Sequence, residues 1–94
     1  MTTNAVKTVD EYVQFLTDKG FHFGEEELGF ISFGQRYSAT SDDQVIAAIE
    51  ITLKAQRHFD GSYFVALLEQ LKGENITNRK DSFQYAKQKG ILRD

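Results

Sequence analysis

Ninety-four residues with a net charge of −3, no cysteine and no proline fit one domain, able to bury about 60–65% of its unfolded surface without covalent staples. The lack of cysteine excludes a disulfide framework, a thiolate zinc site and a thiol nucleophile, and suits a reducing cytoplasm. No stretch approaches the roughly 18 consecutive apolar residues of a membrane span, and the opening MTTNAVKTVDEY, with acids at Asp10 and Glu11, lacks the basic start and apolar run of a signal peptide. The expectation is a single soluble, cytoplasmic domain over residues 1–94.

Thr8 followed by Glu11 forms a capping box, in which hydroxyl and carboxylate each satisfy a backbone N–H at a helix start. A first helix is expected over Val9 to Lys19, with Gly20 as its left-handed stop. Its inward stripe is Val9, Val13 and Leu16, widened by Tyr12 and Phe15. In GEEELGFISFGQRYS, Gly24 is a candidate cap and Glu25, Glu26 and Glu27 fill a first turn where negative charge suits the helix dipole. Leu28, Ile31 and Phe30 are the core candidates of this second helix. Gly29 and Gly34 each cost roughly 1 kcal/mol in a helix interior, or allow close approach of a neighbouring helix.

Ser41 with Gln44 makes a second capping box. The run VIAAIEITLKAQ then spreads Val45, Ile46, Ala48, Ile49, Ile51, Leu53 and Ala55 over most of a helix circumference, the pattern of a helix enclosed by its neighbours. This third helix is therefore expected to be central. Asp60 or Ser62 opens a fourth, with Phe64, Leu67, Leu68 and Leu71 at i, i+3, i+4 and i+7. Gly73 is its expected stop, with Ile76 folding back over the last turn. Thr77 then caps a surface helix over about Asn78 to Lys89, carrying Phe83, Ala86 and Tyr85 and ended by Gly90. The fold class is all-α, a compact bundle of four to five helices.

No catalytic constellation, phosphate loop or dinucleotide fingerprint stands in this pattern. His22 and His58 are the only histidines, and no spacing motif joins them to Glu25, Glu26, Glu27 or Asp60 as a metal set. A non-enzymatic chain without metal or cofactor is expected. Charge is uneven: residues 1–71 hold five Lys/Arg against eleven Asp/Glu, whereas residues 72–94 hold six against three. A basic end on an acidic body marks either a solvated lysine-rich face or a nucleic-acid contact. The phenylalanines are assigned to the core, and Phe21 and Phe23, flanking His22, act as staples at a helix end or leave one ring for a partner.

The segment SDDQVIAAIEITLKAQRHFDGSYFVALLEQLKGENIT resembles the C-terminal domain of the DnaD-like replication proteins of Gram-positive bacteria and their phages, well over residues 41–77 and loosely over 25–85. Tyr63, Leu67 and Leu71 occupy the three spaced positions of the family motif, and Ile76 and Thr77 the start of its last helix. Leu71 stands where the family carries tryptophan. The chain is also similar to small uncharacterised proteins of bacilli, a likeness that implies no function.

The resemblance implies a helical domain of DNA replication. Two functions are open. One is a module that docks on a protein partner or on itself through helical surfaces. The other is single-stranded DNA binding, with Tyr63 as a stacking ring, typically worth about 1–3 kcal/mol per base, and Arg79, Lys80, Lys87 and Lys89 on phosphates. For Tyr63 the plainer alternative is a core-edge ring with its hydroxyl in water.

Overall fold

The structure, a computed structural model, describes residues 8–93; the leader reading through residue 7 and the charge of Asp94 lie outside the described residues. Among these there are five helices and no strand: α1 (Val9–Asp18), α2 (Glu25–Ser38), α3 (Asp42–Gln56), α4 (Gly61–Gly73) and α5 (Arg79–Gln88). The all-α class follows.

Local chemistry sets the helix starts. Thr8 and Glu11 exchange backbone and side-chain bonds, both 3.1 Å, and Ser41 with Gln44 repeats the device, the Ser41 N–H donating to Gln44 Oε1 at 2.9 Å. Asp60 rather than Ser62 caps α4, its carboxylate accepting the Tyr63 N–H at 3.0 Å. Asn78 rather than Thr77 caps α5, because Asn78 Oδ1 reaches the Asp81 N–H at 2.8 Å and starts the helix one residue later.

Three helices end in one motif: a left-handed residue followed by an apolar one whose N–H returns to the last turn. Gly20 and Gly90 supply positive φ after α1 and α5, and Phe21 and Ile91 donate to Leu16 O and Ala86 O. After α4 the left-handed residue is Asn75 (φ 59°), not Gly73, which lies inside the helix; Ile76 then donates to Leu71 O at 2.9 Å. Ile76 and Ile91 seal the core edge as the sequence pattern anticipates for Ile76.

Helix α3 is the axis. Every residue from Gln44 to Ile49 is buried, with Ile51 and Thr52, and α1, α2, α4 and α5 all pack on it. Its first turn also ties the others in polar fashion. Asp42 accepts the Val9 N–H on one carboxylate oxygen (3.1 Å) and the Gln35 amide on the other (2.7 Å). Gln44 donates to Ile76 O at 2.7 Å and so fixes the α4–α5 turn. One end of α3 thus holds α1, α2 and the start of α5.

On α4 the expected stripe of Phe64, Leu67, Leu68 and Leu71 is buried throughout. On α1 the buried set is Val9, Tyr12 and Leu16; Val13 is half-buried and Phe15 stands outside, stacked on Tyr12 at 6.2 Å with Lys19 over its ring. The largest departure is α2. It buries Ile31, Gly34 and Ser38 and leaves Leu28, Phe33 and Tyr37 exposed. The physical reason is Gly34, against which Phe64 and Leu68 of α4 are pressed: a Cβ there would lie 3.0 Å from Phe64 Cε2 and 3.4 Å from Leu68 Cδ2. Close approach at a small residue selects the inward face of α2 and turns its large side chains away. Leu28 is left beside a hollow of about 370 Å3 between α2 and α1, since α1 leans on α3. Only one phenylalanine, Phe64, is fully buried, so the assignment of these rings to the core does not hold for Phe15 and Phe33, and of the pair flanking His22 it is Phe21 that stays exposed while Phe23 packs at the core edge.

The two helical glycines of α2 respond oppositely to substitution. An added Cβ at Gly29 meets nothing, so Gly29→Ala gains about 1 kcal/mol of helix propensity. Gly34→Leu forces α2 off Phe64 at about 1–3 kcal/mol. Thermal melts by circular dichroism should place the two midpoints on opposite sides of the wild type, about 4–8 °C per kcal/mol for a domain of this size.

Candidate functional site

The residues expected to contact nucleic acid do not share a surface. Arg79, at the start of α5, forms an ion pair with Glu50 of α3 through its Nη2. The pair lies beside Tyr12 of α1, whose phenol is pushed up to about 12, first by burial and then by the Glu50 charge, with Arg79 opposing. Arg79 thus serves a junction of α1, α3 and α5.

Tyr63 is half-buried against the core at the first turn of α4. Two turns on, Gln70 of the same flank accepts the Tyr85 hydroxyl at 3.3 Å, and Lys89 Nζ sits 5.8 Å from the Tyr85 ring centroid. Tyr63 and Lys89 therefore belong to the α4 side of α5. Lys87 belongs to the α3 side, and Lys80, seven residues before it, lies on the same flank. Of the other motif positions, Leu67 and Leu71 are buried, Ile76 is half-buried and Thr77 is exposed. Leu71 is a core position that presents nothing to a ligand.

What the fold assembles instead is a groove of about 700 Å3 between the second half of α3 and the end of α5. Phe83, Ile91 and Leu92 line it, and Lys54, Arg57, Lys87 and Arg93 stand around them. Among the described residues, the carboxylate that lines it is Glu50, the partner of Arg79. Four cations around apolar walls are notable on an acidic chain, and the volume lies within the roughly 300–1,000 Å3 of ligand sites.

A second surface lies on α2. Glu26, Phe30, Phe33 and Tyr37 stand at i, i+4, i+7 and i+11 and form one stripe. The Phe33 and Tyr37 rings stack with centroids 5.4 Å apart and remain 57% and 66% exposed. Phe30 is anchored against Gly61, where no Cβ would fit beside its ring. Gly29 leaves a shallow hollow of about 300 Å3 between Glu26 and Phe33.

The fold also brings His22 and His58 to one small hollow with Glu27 and Arg57. Glu27 is engaged there in accepting the Gly24 N–H. Among the described residues no group of three His, Asp or Glu side chains is placed to hold a metal ion. Nor, among them, is any helix long and apolar enough to cross a membrane.

The chain belongs to DUF6123, a family of unknown function. The match extends over residues 4–92, and so over all five helices. No curated protein and no solved structure matches the chain.

Neither surface follows from the local sequence pattern alone, though each leaves a trace in it. The α2 stripe is visible as aromatic spacing once the inward face is known to run through Gly34. The groove joins Lys54 and Arg57 from one helix end with Lys87 and Arg93 from another segment, a pairing that no local pattern contains.

Tyr12 offers a readout of the α1–α3–α5 junction. Its folded value of about 12 exceeds the ordinary 10.0, so above pH 10 the unfolded chain loses this proton first. Stability conferred at this site is complete below pH 10 and declines as pH rises toward 12. Ultraviolet titration should show one tyrosine ionising late. Tyr12→Phe should remove that late step and flatten the alkaline fall in denaturant midpoint; an unchanged titration would place the late phenol elsewhere.

Proposed function

We propose that this protein is a non-enzymatic interaction module that docks on a protein, with the aromatic stripe of α2 as its docking face. The observation that carries the reading is the pair of stacked rings, Phe33 and Tyr37, exposed on a helix whose other face is committed to α4. An amphipathic helix read through anchors at i, i+4 and i+7 is a recurrent mode of protein recognition, and aromatic anchors dominate such contacts. The acidic body supports a protein rather than a polyphosphate as the main partner. The resemblance of residues 41–77 to DnaD-like domains is compatible with a helical adaptor in replication, and the cysteine-free composition with a cytoplasmic setting.

A second reading, single-stranded DNA binding, is favoured by one observation, the convergence of Lys54, Arg57, Lys87 and Arg93 on the α3–α5 groove. On that reading Phe83 replaces Tyr63 as the candidate stacking ring, and affinity falls with salt.

A photo-crosslinking side chain at position 37 should give a covalent protein adduct in cells of the source type, whereas the same group at exposed Gln84 on α5 should not. Equal yields at both positions, or none at 37, would remove α2 as the docking face. For the second reading, anisotropy of a labelled oligonucleotide should fall on Lys54→Glu/Lys87→Glu and be indifferent to Tyr63→Ala. No binding at low salt refutes it.

A further inference from the structure

We infer that the α2 stripe of one copy docks in the α3–α5 groove of a second copy, head to tail. The inference rests on the docking-face reading and names its partner.

The two surfaces are complementary in charge and in apolar character. The stripe begins at Glu26, within a first turn that also holds Glu25 and Glu27, and continues as Phe30, Phe33 and Tyr37. The groove offers Phe83 and Ile91 as apolar walls, with Lys54, Arg57, Lys87 and Arg93 around them. Carboxylates at one end of an aromatic ridge therefore meet a groove whose lining carries both cations and apolar side chains. At about 1.5 Å per residue the stripe runs about 16 Å from Glu26 to Tyr37, the reach of a helix laid along a groove between two helices.

Geometry makes the contact intermolecular. The inward face of α2 is held on α4 through Gly34, and the groove is built from α3 and the end of α5. Stripe and groove are thus different surfaces of one chain. A head-to-tail contact between them is heterologous, leaving one free stripe and one free groove at the ends of every open assembly, so it either closes a ring or extends a filament. The attraction between the cationic edge and the acidic turn is screened by salt, because the Debye length contracts to about 8 Å near physiological ionic strength.

Sedimentation velocity of the full chain over a concentration series, at low and physiological salt, tests this. Expected is concentration-dependent association beyond a dimer, weakened by salt. Two variants change exposed side chains only: Glu26→Lys/Phe33→Asp on the stripe and Lys54→Glu/Lys87→Glu in the groove, with helicity checked by circular dichroism. Each alone should associate on the order of tenfold or more weakly. An equimolar mixture should restore a 1:1 dimer that grows no further, since it contains one intact stripe and one intact groove. A wild type monomeric at every concentration overturns the inference, as does a mixture that stays monomeric, or a variant that alone associates as tightly as the wild type. A monomeric wild type whose position-37 crosslink carries a foreign protein overturns self-docking while sustaining the docking face. Oligonucleotide bound in the groove of a strictly monomeric chain overturns it in favour of DNA.

Discussion

Burial of the first half of α3 on every side is the constraint on which the rest of the molecule depends. From Gln44 to Ile49 every residue of this helix is buried, so each other helix is positioned by what it covers. Hydrophobic burial supplies attraction but little direction. Direction comes from the first turn of α3, where Asp42 takes one hydrogen bond from the start of α1 and another from the end of α2, and Gln44 holds the turn before α5. Bonds of this kind, half-buried and partly charge-assisted, fix orientation more than they add net stability.

That arrangement determines what is left outside. Helix α2 reaches α4 at Gly34, and the cost of this close approach is that its bulkiest residues cannot face inward. Phe33 and Tyr37 are consequently surface residues. The packing of α5 on α3 leaves a trough at the far end of α3, and the helix ends and following turns that meet there carry lysine and arginine. An aromatic ridge with an acidic end and a groove lined by both cations and apolar side chains are thus by-products of one packing scheme.

The basic residues near the C-terminus illustrate how position changes role. As a string, Arg79, Lys80, Lys87 and Lys89 resemble a single phosphate-binding strip. In space Arg79 neutralises Glu50 beside a buried tyrosine, Lys89 covers Tyr85, and Lys87 joins cations contributed by α3 and the C-terminal turn. A helix of ten residues distributes its side chains around its circumference, so a linear cluster of charge need not be a patch. The tyrosine proposed to stack, Tyr63, stands on α4, a different helix from these cations.

The sequence by itself determined the features that are local: five helices, the capping boxes at Thr8 and Ser41, the Gly20 and Gly90 stops, the buried α4 stripe and the enclosed α3. Each rests on groups within four residues of one another or on a periodicity repeated over a whole helix. Local signals misplaced one cap and one stop, Asn78 for Thr77 and Asn75 for Gly73, because residues one or two positions apart can supply the same capping oxygen or left-handed turn. The tertiary structure alone decided which face of α2 is inward, since a glycine pressed on Phe64 outweighs three large apolar side chains, and only it brought Lys54, Arg57, Lys87 and Arg93 together. Both outcomes depend on contacts between segments distant in the chain, whose geometry is set by the packing of whole helices rather than by any residue's neighbours in sequence.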